Sequence, residues 1–176
     1  AGDSGCVLAD FVADEGRPSV MTNTTLCYVE KDGRYLMLYR NKKPHDPNAG
    51  KWVGIGGHME EGESPEDCLK REAYEETGLV LEQMEPRGLV TFVSDRYETE
   101  YMHLFTCHAF SGTLHPCQEG TLQWIPITDV PQLPLWEGDK LFLSFLALKR
   151  PYFSLKLCYQ GDSLQQAFLN GQPLPL

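Results

Sequence analysis

The stretch GHMEEGESPEDCLKREAYEETGL, residues 57–79, decides how the rest of the chain is arranged around it. Its second half has helical spacing. Residues that favour helix ends stand at both limits of that half: Ser64 as N-cap, Pro65 at the first helical position, Asp67 three residues after the cap, and Gly78 just beyond the last turn. The sequence therefore predicts a helix over 64–77 between two loops.

Three glutamates of this helix fall within one arc of roughly 100° when each residue advances the helix by about 100°. They are Glu72, Glu75 and Glu76, and the apolar residues of the helix lie beside the same arc, so we expect these carboxylates to face the protein body. Like charges at these spacings repel, and burial strengthens the repulsion, so a positive partner is required. Converging carboxylate oxygens suit Mg²⁺ or Mn²⁺. A solvated, glutamate-rich face is the alternative interpretation.

The same stretch resembles the Nudix box, the signature of the Nudix hydrolase superfamily. The matching positions are Gly57, Glu63, Arg71, Glu72, Ala73, Glu75, Glu76, Gly78 and Leu79, and a chance match over 23 residues is very unlikely. The resemblance implies an α-β-α sandwich around a mixed β-sheet, with the box binding divalent metal. It also implies hydrolysis of a nucleoside diphosphate linked to another moiety.

The resemblance assigns roles to the residues of the box. It implies metal binding by Gly57, Glu72, Glu75 and Glu76, and it places Arg71 with Glu72 and Glu75 in the catalytic set. Two further expectations come from the residues themselves. Gly56 and Gly57 allow the backbone to approach phosphates closely, and an ion pair between Glu63 and Arg71 can hold the loop on the helix.

Beyond the box, residues 24 to about 169 are similar to the MutT-like 8-oxo-dGTP diphosphatase branch. Residues 51–57 match the strand that leads into the box, and Glu119 matches an additional glutamate that binds metal or acts as a base. The segment 136–139 resembles the one whose acidic residue, here Asp139, reads the purine edge. Trp136 and Phe92 are candidates for its apolar surroundings and a stacking face.

Two departures from this branch bear on the base that is recognised. Val53 stands where the human-type enzymes have Asn, and Gly138-Asp139 stands where they have two adjacent aspartates. Diphosphatase activity is therefore better supported than the choice of base. Arg40, at the end of a predicted strand, is a candidate phosphate contact, with a plain surface arginine as the alternative.

The resulting prediction is a Mg²⁺-dependent nucleoside triphosphate diphosphatase that acts on oxidised purine nucleotides such as 8-oxo-dGTP, in nucleotide sanitation and DNA repair. One alternative is a Nudix hydrolase of another nucleotide, of capped RNA or of a nucleotide sugar. ADP-ribose members usually carry a proline about 15 residues past the box, and residues 89–95 contain none. The non-enzymatic alternative is a nucleotide-binding sensor on an inactive Nudix scaffold.

The composition is that of a small acidic globular protein. The chain has 176 residues, 15 basic and 25 acidic side chains, a net charge of −10 and a pI near 4.9. Because duplex DNA and anionic membranes attract basic faces, we expect no stable nucleic-acid complex and no membrane partner. No apolar run reaches about 18 residues, so we expect no transmembrane span. The cysteines, expected as free thiols, favour a cytoplasmic location. No pattern predicts the oligomeric state.

One domain is expected over residues 21–176, because a chain of this length supports a single core. Residues 1–20 show no helical or strand period and lack the parts of a secretory signal. We therefore expect them to be an N-terminal extension, flexible or foreign to the domain, without chemistry of its own.

The remaining elements are predicted to alternate between strands and one further helix. Residues 24–29 and 35–39 form a hairpin around Asp32-Gly33, and 41–50 form a loop. Further strands are expected at 52–55, 88–94, 101–110, 122–126 and 153–159. A second helix is expected from about 138 to before Pro151, and 163–169 is interpreted as a short helix.

Six cysteines are present, and none forms a CxxC pair. We expect free thiols of a reducing compartment rather than a disulfide framework. The cluster of Cys107, His108, His115 and Cys117 suggests zinc, but the spacing is poor for a zinc site, and alternating strand positions explain it equally well.

Overall fold

A computed structural model of the protein describes residues 21–176, so the predicted N-terminal extension and Cys6 lie outside the described residues. The two helices of this part are α1 (Pro65–Thr77) and α2 (Glu137–Ala147), and a short 3₁₀ turn covers Val130–Gln132. The strands are β1 (Thr22–Lys31), β2 (Arg34–Tyr39), β3 (Trp52–Val53), β4 (Leu79–Ser94), β5 (Glu100–Gly112), β6 (Thr121–Pro126), β7 (Phe153–Gln160), β8 (Ser163–Leu169) and β9 (Gln172–Leu174). Within the described part, no helix is long and apolar enough to cross a bilayer.

The strands form one mixed sheet in the order β3-β2-β1-β5-β4-β7-β8-β9, with β6 paired to β2. The pairs β1–β5 and β4–β7 are parallel, and the other pairs are antiparallel. Alternate residues of β1 belong to different apolar cores. Cys27 and Val29 pack with Leu69 of α1, whereas Tyr28 packs with Phe142 of α2. Because successive strand residues point to opposite faces, the helices cover the two sides of the sheet, and the predicted α-β-α sandwich is confirmed.

Helix α1 begins and ends where the sequence predicts. The Ser64 hydroxyl accepts a 3.0 Å hydrogen bond from the Asp67 N–H, and the Asp67 carboxylate accepts one of 3.1 Å from the Ser64 N–H. Gly78 ends the helix with φ of 81°, and its N–H donates to the Tyr74 carbonyl at 2.9 Å. A Cβ atom at Gly78 would lie 2.5 Å from the Thr113 carbonyl oxygen, so both the conformation and the space favour glycine.

Two other predictions about elements differ from the structure. β4 begins at Leu79 rather than at residue 88, and its pairing with β5 shifts register near Gln83 and Pro86. These polar and proline residues hide the strand pattern, because a bulge breaks the two-residue period. The predicted short helix at 163–169 is wrong, since this segment is strand β8, paired with β7 and β9.

The structure agrees with the predictions of free thiols and of a hairpin at residues 24–39. Asp32 and Gly33 both have positive φ, as a two-residue hairpin turn requires, and β1 pairs with β2 around them. Cys27, Cys68, Cys107 and Cys117 are buried free thiols. The Cys107 thiol donates to the Ala109 carbonyl at 3.3 Å, as expected for a strand position rather than a zinc ligand.

Candidate active site

Strand β1 and the segment 54–58 bring the box loop against α1. The Thr25 N–H donates to the Gly57 carbonyl at 2.9 Å, and the Ile55 N–H donates to the Cys27 carbonyl at the same distance. A Cβ atom at Gly57 would lie 2.5–2.8 Å from the carboxylate atoms of Glu72. Glycine is therefore required here, because the backbone approaches a charged side chain at van der Waals distance.

Arg71 organises the loop that precedes the helix. Its Nε and Nη2 atoms donate to the two carboxylate oxygens of Glu63 at 2.8 and 2.9 Å, so the predicted ion pair is present. Nη2 also donates to the His58 carbonyl at 3.0 Å, and Nη1 donates to Glu72 at 2.8 Å. The hydrogen bonds to Glu63 and then to Glu72 raise the pKa of Arg71 above its ordinary value, although burial acts against this. One guanidinium thus joins the loop to a glutamate of the site.

Glu76 is the most deeply buried carboxylate of the helix. Its Oε2 atom is buried without a hydrogen-bond partner among residues 21–176. Burial, followed by the negative charges of Glu119 and Glu72, raises the pKa of Glu76 to about 9. A buried acceptor surrounded by like charges is costly unless a cation or a proton compensates it.

Glu119 approaches this group from the loop before β6. Its carboxylate accepts a 2.5 Å hydrogen bond from Nη1 of Arg40, and Nε of Arg40 donates to Asp46 at 2.6 Å. The Glu119 side chain is 34% exposed, whereas that of Asp46 is buried. The sequence predicts Arg40 as a phosphate contact. In the structure Arg40 lies in the cavity wall, where it joins these two carboxylates.

A second group of predicted residues lies at the start of α2. Asp139 is only 5% exposed, and burial, followed by the charge of Glu100, raises its pKa to about 8, while Lys51 acts in the opposite direction. The N-cap of α2 is Trp136, so Asp139 lies within the first turn of the helix and does not cap it. Trp136 packs edge-on against Tyr159 with ring centroids 5.5 Å apart, and Phe92 lies 6.4 Å from the same tyrosine.

One cavity of about 770 Å³ connects the two groups. We call the part next to α1 the acidic end and the part next to the start of α2 the aromatic end. The cavity brings together most of the predicted site residues, namely Arg40, Gly56, Gly57, Glu72, Glu76, Phe92, Glu119, Trp136 and Asp139.

Glu75 and Arg71 do not line this cavity. The expectation that all three helix glutamates face the protein body is wrong for Glu75, whose side chain is 60% exposed. Glu75 lies at the edge of the predicted arc, where it reaches Arg71 at 3.5 Å. Arg71 itself lies behind the acidic end, where it holds Glu72.

The acidic end has the chemistry to hold a divalent cation. Among residues 21–176, no three acidic, histidine or cysteine side chains are already gathered at metal-binding distance. Arginines hold Glu72 and Glu119, whereas the buried Oε2 of Glu76 has no protein partner in that part of the chain. Carboxylate oxygens around an uncompensated acceptor are the hard donors that Mg²⁺ and Mn²⁺ prefer, so the residues fit such an ion.

Sequence reasoning missed two residues at the aromatic end. Glu100 and Thr24 both line the cavity, although neither belongs to a motif. The two-residue period of β5 is a signal that points to Glu100, because it lies on the same face as the buried Met102 and Leu104. A glutamate in register with core residues is unusual and marks a site.

Comparison with known proteins agrees with this geometry. Residues 21–146 match the family model described as NUDIX domain. The Nudix hydrolase YvcI of Bacillus subtilis, described as uncharacterized, is 33% identical over 131 residues, which cover 72% of this chain and 79% of the relative. The oxidized purine nucleoside triphosphate hydrolase of Mus musculus is 32% identical over 129 residues, which cover 73% of this chain and 81% of that protein.

Solved structures support the same assignment. The crystal structure of a MutT protein from Bacillus halodurans has a TM-score of 0.75 and 28% identity, and the match covers 86% of this chain and 99% of that one. The sequence motif, the sandwich fold and these relatives agree. The chain belongs to the Nudix family, in its MutT-like branch, and is a Nudix pyrophosphohydrolase.

Proposed function

We propose that the protein is a Mg²⁺-dependent nucleoside triphosphate diphosphatase for oxidised purine nucleotides such as 8-oxo-dGTP. Water would attack the triphosphate, and the products would be the nucleoside monophosphate, pyrophosphate and a proton. The observation that carries the proposal is the single cavity with carboxylates at one end and aromatic rings beside a buried aspartate at the other. That the Mus musculus relative is named an oxidized purine nucleoside triphosphate hydrolase favours the same substrate class.

The acidic end would hold the triphosphate. Glu72, Glu75, Glu76 and Glu119, with the Gly57 carbonyl, are the groups we assign to Mg²⁺, although Glu75 must turn inward from its exposed position. The ion would neutralise phosphate charge and lower the pKa of a bound water. In the absence of a cation, Glu76 would repel a polyphosphate when its carboxyl group is ionised and would not repel it when that group is protonated.

The protein's own residues would orient the water and accept its proton. Glu119 is partly exposed to the cavity and is oriented by Arg40, so we assign it the proton from the attacking water. Arg71 would act indirectly, since it holds Glu72 and the loop that carries Gly57. Gly56 would keep the backbone close to the phosphates, because a Cβ atom there would overlap the Thr25 carbonyl.

The aromatic end would hold the base. Trp136 and Phe92 offer flat apolar surfaces, and the Trp136 ring is oriented by its hydrogen bond to Asn48 at 2.8 Å. A protonated Asp139 can both donate and accept a hydrogen bond, so it can pair with O6 and N7–H of an 8-oxoguanine. Guanine lacks the N7–H donor, which gives a physical basis for selectivity.

A hydrolysis panel with product identification tests this proposal. Purified protein with Mg²⁺ would be given 8-oxo-dGTP, dGTP, 2-oxo-dATP, dCTP, ADP-ribose and capped RNA. We expect the highest kcat/KM on an oxidised purine triphosphate, with monophosphate and pyrophosphate as products and no turnover after chelation. A clear preference for dCTP, capped RNA or ADP-ribose would reject the proposed substrate class. Absence of turnover on every compound would favour the sensor alternative.

A further inference from the structure

A second carboxyl group reaches the aromatic end from the sheet. Glu100 is the first residue of β5, where it is paired with Phe92 of β4 on one side and with Thr22 of β1 on the other. Directly paired residues of adjacent strands project their side chains to the same face. Glu100 and Phe92 therefore share the face that forms the cavity floor, and Asp139 lines the same cavity from α2.

A buried hydroxyl group in the same place lacks a partner. Thr24 is 6% exposed and lines the cavity, and its Oγ1 atom has no hydrogen-bond partner among residues 21–176. Such groups are rare in folded proteins unless a ligand or water completes them. The hydroxyl acts on Glu100, whose pKa burial raises and Thr24 helps to lower, so Thr24 and Glu100 together form a polar site with hydrogen-bonding capacity left for a ligand at this end of the cavity.

Position 138, directly before Asp139, has no space for a side chain and so cannot supply a carboxyl group. A Cβ atom at Gly138 would lie 2.5 Å from a methyl group of Leu157 and 2.6 Å from the Tyr159 hydroxyl. The Gly138 N–H also donates to that hydroxyl at 2.7 Å, which holds the first turn of α2 tightly against β7. The second carboxyl group that is withdrawn from solvent at this end of the cavity is therefore that of Glu100, whereas Glu98 is exposed.

We propose that Glu100 determines base specificity, and that with Asp139 it forms a two-carboxyl reader for the hydrogen-bonding edge of a 6-oxopurine. A carboxylate only accepts hydrogen bonds, whereas a carboxylic acid also donates one. Two carboxyl groups that share protons therefore offer a donor beside acceptors, which matches an edge with a carbonyl oxygen next to N–H groups. This inference rests on the proposed function only in assigning the base to the aromatic end.

The electrostatic surroundings favour protonated carboxyl groups at this end of the cavity. Burial comes first and the charge of Glu100 second among the causes that raise the pKa of Asp139, and Lys51 opposes them. Burial also raises the pKa of Glu100, against the influence of Thr24 and His58. From β1 and β7, Tyr28 and Tyr159 face Asp139, and burial followed by the Asp139 charge raises the pKa of both phenols, so they remain neutral.

Substitution of Glu100 tests the proposal. Glu100→Gln keeps the size and one acceptor oxygen but replaces the other oxygen by an NH2 donor and removes the charge, and Glu100→Leu removes all hydrogen bonding. The matched control is Glu85→Gln, which removes an exposed charge from the neighbouring strand β4 outside the cavity. We expect Glu100→Gln to lower kcat/KM for the preferred purine about tenfold, mainly through KM, and Glu100→Leu to lower it further. The control should match the wild type.

Two readouts separate specificity from a structural role. The ratio of kcat/KM between 8-oxo-dGTP and dGTP should change in both Glu100 variants. The pKa of Asp139, followed by carboxyl ¹³C NMR, should fall in Glu100→Gln because a nearby negative charge is lost. Unchanged base ratios together with an unchanged Asp139 pKa would overturn the proposal. If Glu100→Leu does not fold, the isosteric Glu100→Gln still decides it.

The outcome can be distinguished from failure of the proposed function. If the wild type prefers a nucleotide other than an oxidised purine, the proposed function fails. The reader proposal then stands if the preferred base is another 6-oxopurine and the Glu100 variants reorder the bases in that panel, and it fails in every other case. If the wild type hydrolyses nothing, calorimetric binding of GMP, 8-oxo-dGMP, AMP and CMP replaces turnover. Equal affinities of wild type and variants for all four would overturn the reader.

Discussion

At the scale of single residues, Glu76 combines burial, like-charged neighbours and an oxygen without a protein partner in residues 21–176. Replacement by Gln removes the charge but keeps the shape. We expect Glu76→Gln to lower kcat about 10²–10³-fold at saturating Mg²⁺, as for other losses of transition-state charge stabilisation. Glu66→Gln, at an exposed position of the same helix, is the control. Near-normal turnover of Glu76→Gln at limiting Mg²⁺ would reject the metal-site assignment.

Substitution of Glu119 tests its assignment as the general base that accepts the proton from the attacking water. Because its carboxylate is oriented by Arg40 and partly exposed to the cavity, Glu119→Gln should lower kcat more than it raises KM. Steady-state kinetics over a range of Mg²⁺ concentrations separates this effect from weaker metal binding. Unchanged kcat with normal metal dependence would reduce Glu119 to a surface carboxylate that pairs with Arg40.

Asp139 is expected to act in its protonated form. Its raised pKa of about 8 means that the acid predominates at neutral pH and is lost as the pH rises above that value. We therefore expect kcat/KM for 8-oxo-dGTP to fall above about pH 8 in the wild type. Asp139→Asn should not lower thermal stability, but it should lower kcat/KM, narrow the preference over dGTP, and lack this alkaline limb. Equal losses on every nucleotide would place the purine reader elsewhere.

Site residues that belong to a local motif were predictable, and those that depend on tertiary pairing were not. Arg71 and Glu63 are eight positions apart in the box, one on α1 and the other in the loop just before it, so their ion pair follows from the local motif. Glu100 reaches the cavity only because β5 pairs with both β1 and β4. The contact of Arg40 with Glu119 joins residues 79 positions apart, so no local pattern reveals it.

At the scale of elements, the caps of α1 hold the site together. Ser64→Ala removes one half of the capping box and should lower the free energy of unfolding by about 1 kcal/mol. Because the glutamates of the site lie two or more turns further along, kcat should change less than twofold. Urea unfolding and steady-state kinetics on the same samples measure both quantities. A large loss of kcat with unchanged stability would contradict this separation.

Elements with end signals were predicted well, whereas strand β8 was not. The serine, proline and glycine at the limits of α1 define it from local chemistry alone. Strand β8 contains good helix formers, but Gly161-Asp162 and Asn170-Gly171 turn the chain into hairpins on both sides, and pairing overrides propensity. Asn170-Gly171 is a strong hairpin signal that the interpretation as a helix overlooked.

At the scale of the whole molecule, buried carboxyl groups at both ends of the cavity link folding to pH. The pKa values of Glu76, Asp139 and Glu100 are raised, chiefly by burial, and those of the first two reach about 9 and about 8. The folded protein then holds protons that the unfolded chain releases near pH 4. The contribution of these groups to the free energy of unfolding is therefore fully present below about pH 4, and it is lost as the pH rises toward their folded pKa values.

Other carboxylates act in the opposite direction at low pH. Hydrogen bonds from Arg71 lower the pKa of Glu63, and those from Arg40 and Asn48 lower that of Asp46 although burial opposes them. Stability from these two groups is present above about pH 4 and is lost as the pH falls through their folded pKa values. The metal-free protein should therefore be most stable in mildly acidic solution.

Ligands should restore stability separately at the two ends of the cavity. We expect the melting temperature of the metal-free protein to fall between pH 5 and pH 9, because Glu76 and Asp139 are forced to ionise. Mg²⁺ should raise the melting temperature most at high pH, since a cation favours the ionised form of Glu76. This gain should be absent in Glu76→Gln, whose melting temperature should also depend less on pH.

Asp139→Asn should likewise make the melting temperature depend less on pH, but it should keep the Mg²⁺ response, because residue 139 lies at the aromatic end. Differential scanning fluorimetry of the wild type and both variants, with EDTA or Mg²⁺, measures these responses. If Asp139→Asn lost the Mg²⁺ response, the division of the cavity into an end for metal and an end for the base would be wrong.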